Sequence, residues 1–218
     1  MAKRPVFISN TNICGYVEEK EIEFTWFPGL SKSQKQKSIE SLHNAFLKEY
    51  PESKVLEISS KSLHPSGVEL SAFNLMLSFK DKNLNVETAF QSSKVFELGG
   101  PYLDLLDKTA REAKADERLK SSGKLICFGF NGQKWPLEPK TAFYDWLYLN
   151  AVSQNADLAD QLIEYTAFTD IEFNPQKSIN CQARSAALFV SLKRMGILED
   201  TIDSVENFLK VYRDKEKI

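Results

Sequence analysis

Residues 86–96 of the chain read VETAFQSSKVF, and their apolar residues follow a different period from the stretches on either side. Apolar and small side chains recur at three- and four-residue spacing, as they do on one side of an α-helix. Glu87, Gln91 and Lys94 fall on an adjacent edge, because offsets of four and seven residues return to nearly the same angle. The stretch therefore predicts a helix with one apolar face and one polar edge.

This polar edge has two interpretations. An acid and an amine at such spacing most commonly form an exposed ion pair that contributes about 0.2–0.5 kcal/mol. The apolar segments on both sides of residues 86–96 favour burial of the helix instead. A buried Glu87 or Lys94 is costly unless the protein uses it, so the edge is either a solvated face or the wall of an active site.

Outward from this helix, strand and helix patterns follow one another without an internal repeat or a low-complexity linker. Strands are predicted at residues 17–26, 55–58, 70–79, 125–130 and 171–173, and a loop at residues 63–67. Further helices are predicted from Ser31 or Ser33 to residue 50, and at residues 102–106, 109–120, 141–152, 158–165, 182–195 and 202–212. This order predicts a single helix-rich α+β domain with a small β-sheet.

Composition narrows the function classes. The chain has 218 residues, 42% hydrophobic and 27% charged, which suits one globular domain with a sizeable core. Its net charge of −2 gives no overall positive field for a nucleic acid, although 28 Lys and Arg residues leave room for a local basic surface. No signal peptide or membrane-length apolar run is evident, so we expect a cytoplasmic protein without membrane association.

The cysteines and histidines of the chain offer little support for a metal site or for catalysis by a histidine-activated nucleophile. Cys14, Cys127 and Cys181 are far apart and form no CxxC motif, so we expect neither disulfides nor a zinc site. His43 and His64 lie in a helical pattern and a Pro/Ser loop, which is poor material for a Ser-His or Cys-His pair. We therefore expect no metal and no cofactor, and chemistry based on carboxylates and lysine.

Several short motifs resemble, in their order and spacing, the NADAR superfamily of YbiA-like N-glycosidases. They are LSAFN (residues 70–74), VETAFQSSKVF (86–96), REAK (111–114), Trp135 with Lys140, SQNADLADQL (153–162) and DIEFNP (170–175). The superfamily counterparts are an LSNF-like strand, a VEHAYQAAK-like helix, an EAK helix, a tryptophan-lysine helix start, a QNxxL segment and a VEA(N/S)P-like strand. Each motif is weak alone, and their shared order makes the set specific.

The resemblance implies an order of segments along the chain. Residues 70–190 correspond to the NADAR-like catalytic core, residues 1–69 are an added strand-helix portion, and residues 191–218 are a helical tail. Three departures stand out: Thr88 replaces the family's histidine, Ala72 replaces the asparagine of LSNF, and SINCQARSA (178–186) replaces the closing WG(I/C)G box.

This divergent pattern most resembles the NADAR antitoxins paired with DarT-type DNA ADP-ribosyltransferase toxins. That resemblance implies removal of ADP-ribose from guanine in DNA, with ADP-ribosylated DNA and a DarT-like toxin as partners. YbiA-like branches are associated with small ribosylated intermediates of the riboflavin pathway, which keeps a small-molecule N-glycosidase open. A non-catalytic protein that binds ADP-ribose or the toxin is the third alternative.

For such a reaction, Lys94 is the predicted nucleophile. A neutral amine could displace the base from a ring-opened sugar, and burial in a closed pocket would supply the lowered pKa that attack requires. Glu87 or Glu172 would move the protons. The alternative is direct hydrolysis through an oxocarbenium-like transition state, in which Lys94 only holds a phosphate or the ring oxygen.

Ten further residues are predicted to contact the substrate. Ser71, Phe73 and Asn74 follow the LSNF-like strand, while Gln91 shares the polar edge of the helix. The remaining predicted contacts are Trp135, Asp145 and Trp146 to the base, and Asn174, Asn180 and Arg184 to the diphosphate. For the aromatic residues the alternative is core packing, which is the commoner role at helical spacing, and for the polar residues it is helix capping or a surface pair.

Overall fold

A computed structural model describes residues 1–80 and 82–213. Its strands are β1 (Ala2–Ser9), β2 (Val17–Phe24), β3 (Val55–Glu57), β4 (Met76–Phe79), β5 (Lys82–Asn85), β6 (Lys94–Phe96), β7 (Leu125–Phe130), β8 (Gln133–Trp135) and β9 (Ala167–Thr169). Its α-helices are α1 (Lys32–Glu49), α2 (Pro65–Glu69), α3 (Val86–Ser92), α4 (Ala110–Ala115), α5 (Arg118–Ser121), α6 (Ala142–Ser153), α7 (Ala156–Leu162), α8 (Gln182–Arg194), α9 (Leu198–Ile202) and α10 (Val205–Arg213), with a 3-10 helix at Leu103–Asp107. None of the helices in these two ranges combines the length and the apolar character that crossing a membrane requires.

A four-stranded sheet joins distant parts of the chain in the order β2-β1-β9-β3. β1 is antiparallel to both β2 and β9, whereas β3 is parallel to β9. The residues before position 70 and the strand at Ala167–Thr169 therefore share one sheet. The predicted fold class, a single helix-rich α+β domain, is confirmed.

The two faces of this sheet are covered by different helices. Successive side chains of a strand point to opposite faces, so Val6 packs towards α1 and Phe7 towards the main core that includes α8. On α1, Leu42 and Phe46 are fully buried against the sheet, and burial of such a side chain contributes roughly 1.5–3 kcal/mol. The helix begins after Ser31, whose hydroxyl accepts a hydrogen bond from the Gln34 N–H.

Most predicted elements agree with the structure to within a few residues. The strand at Leu125–Phe130 is confirmed, and Asn131 and Gly132 form the turn after it, both with the positive φ that such a hairpin turn requires. The strand pattern at residues 1–10 and the short strand β8 are elements that sequence analysis did not predict.

The predicted helix over residues 86–96 is too long. α3 ends at Ser92, and residues Lys94–Phe96 form strand β6 because they pair with β7. The Gly129 N–H donates to the Ser93 carbonyl oxygen at 2.7 Å, which fixes the point of change. The polar edge thus comes from a helix for its first part and from a strand for Lys94.

Two predicted strands and one loop are also wrong in part. Residues 70–75 form a turn, in which the N–H groups of Asn74 and Leu75 both donate to the Ser71 carbonyl oxygen at 2.7 Å. The short strand near residue 171 lies earlier, at Ala167–Thr169, and a turn follows it. Residues 63–67, predicted as a loop, include the start of helix α2.

A buried ion pair fastens the C-terminal helices to α6. Asp145 on α6 accepts hydrogen bonds from Arg184 Nη1 at 2.5 Å and from Ser185 Oγ at 2.5 Å, and the Tyr212 hydroxyl donates to the same carboxylate. Burial disfavours the charged guanidinium, but Asp145 outweighs this effect, and the pKa of Arg184 is raised. The network joins α8 and α10 to α6, so Asp145 and Arg184 have a structural role, and the substrate contacts predicted for them stay predictions.

We expect Asp145→Asn to lower the free energy of unfolding by about 3–5 kcal/mol, because the amide leaves the Arg184 guanidinium without a counter-charge. Tyr212→Phe is the matched control: it removes one hydrogen bond to the same carboxylate and leaves the ion pair, so it should cost about 1.5 kcal/mol. Urea unfolding followed by circular dichroism measures both. Equal losses for the two variants would contradict a dominant ion pair.

Candidate active site

A cavity of about 840 Å³ opens beside α3 and is walled by β6, β7, α4, α5 and residues 170–182. Its volume lies in the range of small-molecule and cofactor sites. Seven of the residues predicted from the sequence line it: Phe73, Glu87, Gln91, Lys94, Glu172, Asn174 and Asn180. The segment that replaces the WG box, SINCQARSA, also contributes to the wall through Ser178, Ile179, Asn180 and Gln182.

The start of α3 delivers Glu87 to this cavity. Asn85 caps the helix: its Oδ1 accepts from the N–H groups of Glu87 and Thr88 at 3.0 and 3.4 Å. Its Nδ2 donates to the Phe73 carbonyl oxygen at 2.5 Å, and the Glu87 N–H donates to the Ala72 carbonyl oxygen at 3.0 Å. The helix is thereby anchored to the turn at residues 71–75.

One helical turn later, Gln91 meets Glu87. Gln91 Nε2 donates to Glu87 Oε1 at 2.9 Å, and Lys114 Nζ lies 3.6 Å from the same oxygen. Because the nitrogen faces the carboxylate, the amide oxygen of Gln91 is turned the other way, and it is buried without a hydrogen-bond partner in the described chain. The Gln91 amide oxygen is therefore an unused hydrogen-bond acceptor at the cavity wall.

Lys94 reaches the cavity from the first position of β6, where it pairs with Phe128. Gly100 packs against its backbone: a Cβ on Gly100, whose φ is +85°, would collide with the Lys94 carbonyl oxygen. The ammonium nitrogen lies 5.0 Å from the centroid of the Phe90 ring. Within residues 1–80 and 82–213, no carboxylate oxygen lies within 4.0 Å of it.

The charge state of Lys94 follows from these surroundings. Burial lowers the pKa of Lys94, Glu87 opposes this effect by favouring the ammonium, and Lys114 adds to it by repulsion. A half-buried amine with a lowered pKa holds more of its neutral, nucleophilic form near neutral pH than an ordinary lysine. The cavity wall thus carries a potential nucleophile.

Glu172 lies at the rim rather than in the depth of the cavity. Its side chain is 44% exposed and forms an ion pair with Lys35 of α1 at 3.1 Å. Lys35 Nζ in turn lies 4.9 Å from the ring centroid of Trp26. The portion of the chain before residue 70 therefore positions the Glu172 side chain at the rim.

Asp170 is a cavity residue that sequence analysis missed. Burial and the nearby charge of Glu57 raise the pKa of Asp170 to about 8. Glu57 itself is 2% exposed, and burial raises its pKa as well. The DIEFNP motif carries the signal, because it contains a second acid, Asp170, two residues before Glu172.

Four other predicted contacts lie outside the cavity wall. Trp135 is fully buried against Phe143 and Trp146, and Trp146 Nε1 donates to the Ile202 carbonyl oxygen at 2.9 Å, so both indoles belong to the core. The Ser71 hydroxyl points to Gln182 Oε1 at 3.4 Å. Asn74 Nδ2 donates to the Val68 carbonyl oxygen at 2.8 Å. These four side chains make structural contacts outside the cavity wall, and the stacking and sugar-binding roles predicted for them stay predictions.

Comparison with known proteins identifies the family of the chain. A family model described as the DarT1-associated NADAR antitoxin matches residues 2–218. The chain belongs to this family. No curated protein matched the chain. The resemblance read from the motifs is confirmed, and the match of the NADAR antitoxin family extends through the portion before residue 70 that the motifs did not cover.

Two substitutions should move the pKa of Lys94 in this NADAR antitoxin in opposite directions. Glu87→Gln removes a neighbouring negative charge, so the pKa should fall further; Lys114→Gln removes a positive charge, so it should rise. NMR titration of isotopically methylated lysines measures both. Lys193→Gln, outside the cavity wall, is the control and should leave the Lys94 pKa unchanged. A shift of the same sign in both variants would contradict the electrostatic account.

Proposed function

We propose that this protein removes ADP-ribose from guanine bases of DNA by cleaving the N-glycosidic bond, and so reverses the modification made by a DarT1 toxin. The observation that carries the proposal is the Lys94 amine, half-buried beside Phe90 and without a carboxylate within 4.0 Å in the described residues. Membership in a family of DarT1-associated antitoxins supports the choice of substrate.

The first steps of the reaction use this amine. The lone pair of the guanine exocyclic nitrogen opens the ribose ring, which gives an imine at C1 and a hydroxyl at the former ring oxygen. The neutral Lys94 Nζ then adds to C1, and the bond from C1 to the guanine nitrogen breaks as Lys94 forms a Schiff base. Water adds to C1 of this adduct, and the sugar leaves as free ADP-ribose while Lys94 is restored.

Glu87 is positioned to influence the protonation state of Lys94. It favours the ammonium form electrostatically, and Gln91 and Lys114 hold its carboxylate in position. We infer that Glu87 accepts the proton that Lys94 loses before attack. Glu172, paired with Lys35 at the rim, is better suited to orient the substrate than to transfer protons.

Direct hydrolysis fits the surroundings of Lys94 less well. A lysine that only holds a phosphate or the ring oxygen gains from its full positive charge. Burial of Lys94 works against that charge, and Lys114 repels it further. The environment therefore favours a residue that attacks as a free amine.

The remaining wall suits a nucleotide. The Asn180 side-chain oxygen is, like that of Gln91, buried without a hydrogen-bond partner among the described residues, and the two can accept from sugar hydroxyls or from N–H groups of the base. Phe73 is 37% exposed beside the cavity and offers a ring face to a base. Exposed lysines of the wall, Lys114, Lys120, Lys140 and Lys177, provide positive charge for phosphates.

The test is incubation with an oligonucleotide that carries ADP-ribosyl-guanine, followed by mass spectrometry. We expect unmodified oligonucleotide and free ADP-ribose, with turnover that weakens as salt rises. Lys94→Arg keeps a positive charge but lacks the nucleophile, so it should lose at least about 100-fold in rate. Lys193→Arg, outside the cavity wall, should match the wild type.

Each competing function has its own outcome in this experiment. Turnover of free ADP-ribosylated guanosine together with inactivity on the oligonucleotide would indicate a small-molecule N-glycosidase. Wild-type rates in Lys94→Arg would contradict the nucleophile. Absence of any turnover, with retained binding of ADP-ribose, would indicate a non-catalytic binding protein.

A further inference from the structure

A chain of hydrogen bonds runs behind the cavity wall. His43 Nε2 of α1 lies 2.8 Å from Thr169 Oγ1, and Thr169 Oγ1 donates to Glu57 Oε2 at 2.6 Å. The other carboxylate oxygen of Glu57 accepts from the Ser59 hydroxyl at 2.6 Å and from the Ile171 N–H at 2.8 Å. The buried Glu57 is thus held by three donors.

These contacts place Glu57 directly behind Asp170. Two of its donors belong to Thr169 and Ile171, the residues on either side of Asp170. Asp170 lines the cavity, and its Oδ1 accepts from the N–H groups of Glu172 and Phe173 at 3.0 and 3.2 Å. The carboxyl of Asp170 is therefore fixed at the wall by its own turn and backed by a second acid.

Burial and mutual repulsion raise the pKa of both carboxyls, so at least one of the pair holds a proton near neutral pH. Glu57 has three donors, and Asp170 is also hydrogen-bonded, by Glu172, Phe173 and Gln182. Of the two carboxyls only Asp170 lines the cavity, so it is the one that can present the shared proton to a substrate. The titratable groups that influence Asp170 are Glu57, Glu172, Tyr144, Tyr148 and Cys181, with His43 behind Thr169. None of these groups is a cation that would lower the pKa of Asp170.

The other carboxyls of the described cavity wall lack this arrangement. Glu87 lies 3.6 Å from Lys114, and Glu172 lies 3.1 Å from Lys35, so each of these two carboxyls faces a cation. Glu138 is exposed to solvent. Asp170 is consequently the wall carboxyl whose surroundings keep it available as an acid.

We propose, building on the function proposed above, that Asp170 is the catalytic acid that protonates the departing guanine, and that Glu57 is the positioning residue behind it. As the bond from C1 to the guanine nitrogen breaks, its electron pair stays on nitrogen and takes the Asp170 proton. The Lys94 lone pair meanwhile forms the protonated Schiff base.

The same carboxyl then acts in the second half of the reaction. Water adds to C1 of the Schiff base and gives one proton to the Asp170 carboxylate, which restores the acid. The resulting carbinolamine passes its hydroxyl proton to Lys94 Nζ, and the sugar leaves as the aldehyde. Atoms and charges balance with water as the only co-reactant.

The test compares pH–rate profiles of the wild type, Asp170→Asn and Glu57→Gln on the ADP-ribosyl-guanine oligonucleotide. The wild-type rate should fall as pH rises through about 8, where Asp170 loses its proton. Asp170→Asn should lose about 100-fold or more at neutral pH and lose this alkaline limb. Glu57→Gln should move the limb to lower pH, because removal of a neighbouring negative charge makes Asp170 a stronger acid.

Both variants can keep the local hydrogen bonds. In Asp170→Asn, the new amide retains an oxygen for the N–H groups of Glu172 and Phe173. In Glu57→Gln, the amide oxygen can stay towards Ser59 and Ile171, and the amide nitrogen can donate to Thr169 Oγ1, whose proton then turns to His43 Nε2. Circular dichroism checks folding, and if Asp170→Asn does not fold, the direction of the Glu57→Gln shift decides.

The outcomes separate this inference from the function on which it rests. If the wild type is active but the alkaline limb lies at the same pH in Glu57→Gln, the role of Asp170 is overturned. Full activity in Asp170→Asn overturns it as well. In both cases the proposed function stands. A rate loss in Glu57→Gln that is equal at every pH indicates a structural role and overturns the positioning role. Absence of wild-type turnover contradicts the proposed function itself.

Discussion

The site depends on the hydrogen bond from the Gly129 N–H to the Ser93 carbonyl oxygen, because this bond lies where α3 ends and β6 begins. Glu87 and Gln91 come from the helix, and Lys94 comes from the strand that pairs with Phe128. The amine is thus carried on a sheet backbone, which holds a side chain more rigidly than a loop would. The close approach of Gly100 to the Lys94 carbonyl fixes the same residue from the other side.

A second constraint comes from the four-stranded sheet. β9 lies between β1 and β3, so the residues just after it are framed by the N-terminal part of the chain. Lys35 pairs with Glu172, and His43 and Glu57 meet at Thr169. The portion before residue 70 therefore supports residues 169–172 from behind the cavity wall, and the family match includes this portion.

The sequence was informative where local spacing determines geometry, and it failed where distant residues decide. Glu87 and Gln91 follow from four-residue helical spacing, and Lys94 lines the predicted cavity although its backbone is a strand. Helical spacing of Trp146 does not distinguish core packing from base stacking. The pKa of Asp170 depends on Glu57, which is far away in sequence. Residues 70–75 have the apolar pattern of a strand because a turn that packs into the core is as apolar as a strand.

The most direct test of the central claim is reduction of the enzyme with borohydride during turnover of the ADP-ribosylated oligonucleotide, followed by peptide mapping. A Schiff base predicts an adduct with the mass of reduced ADP-ribose on the peptide that contains Lys94, and no adduct in Lys94→Arg. Measured turnover without a trapped adduct, or an adduct on another lysine, would contradict attack by Lys94.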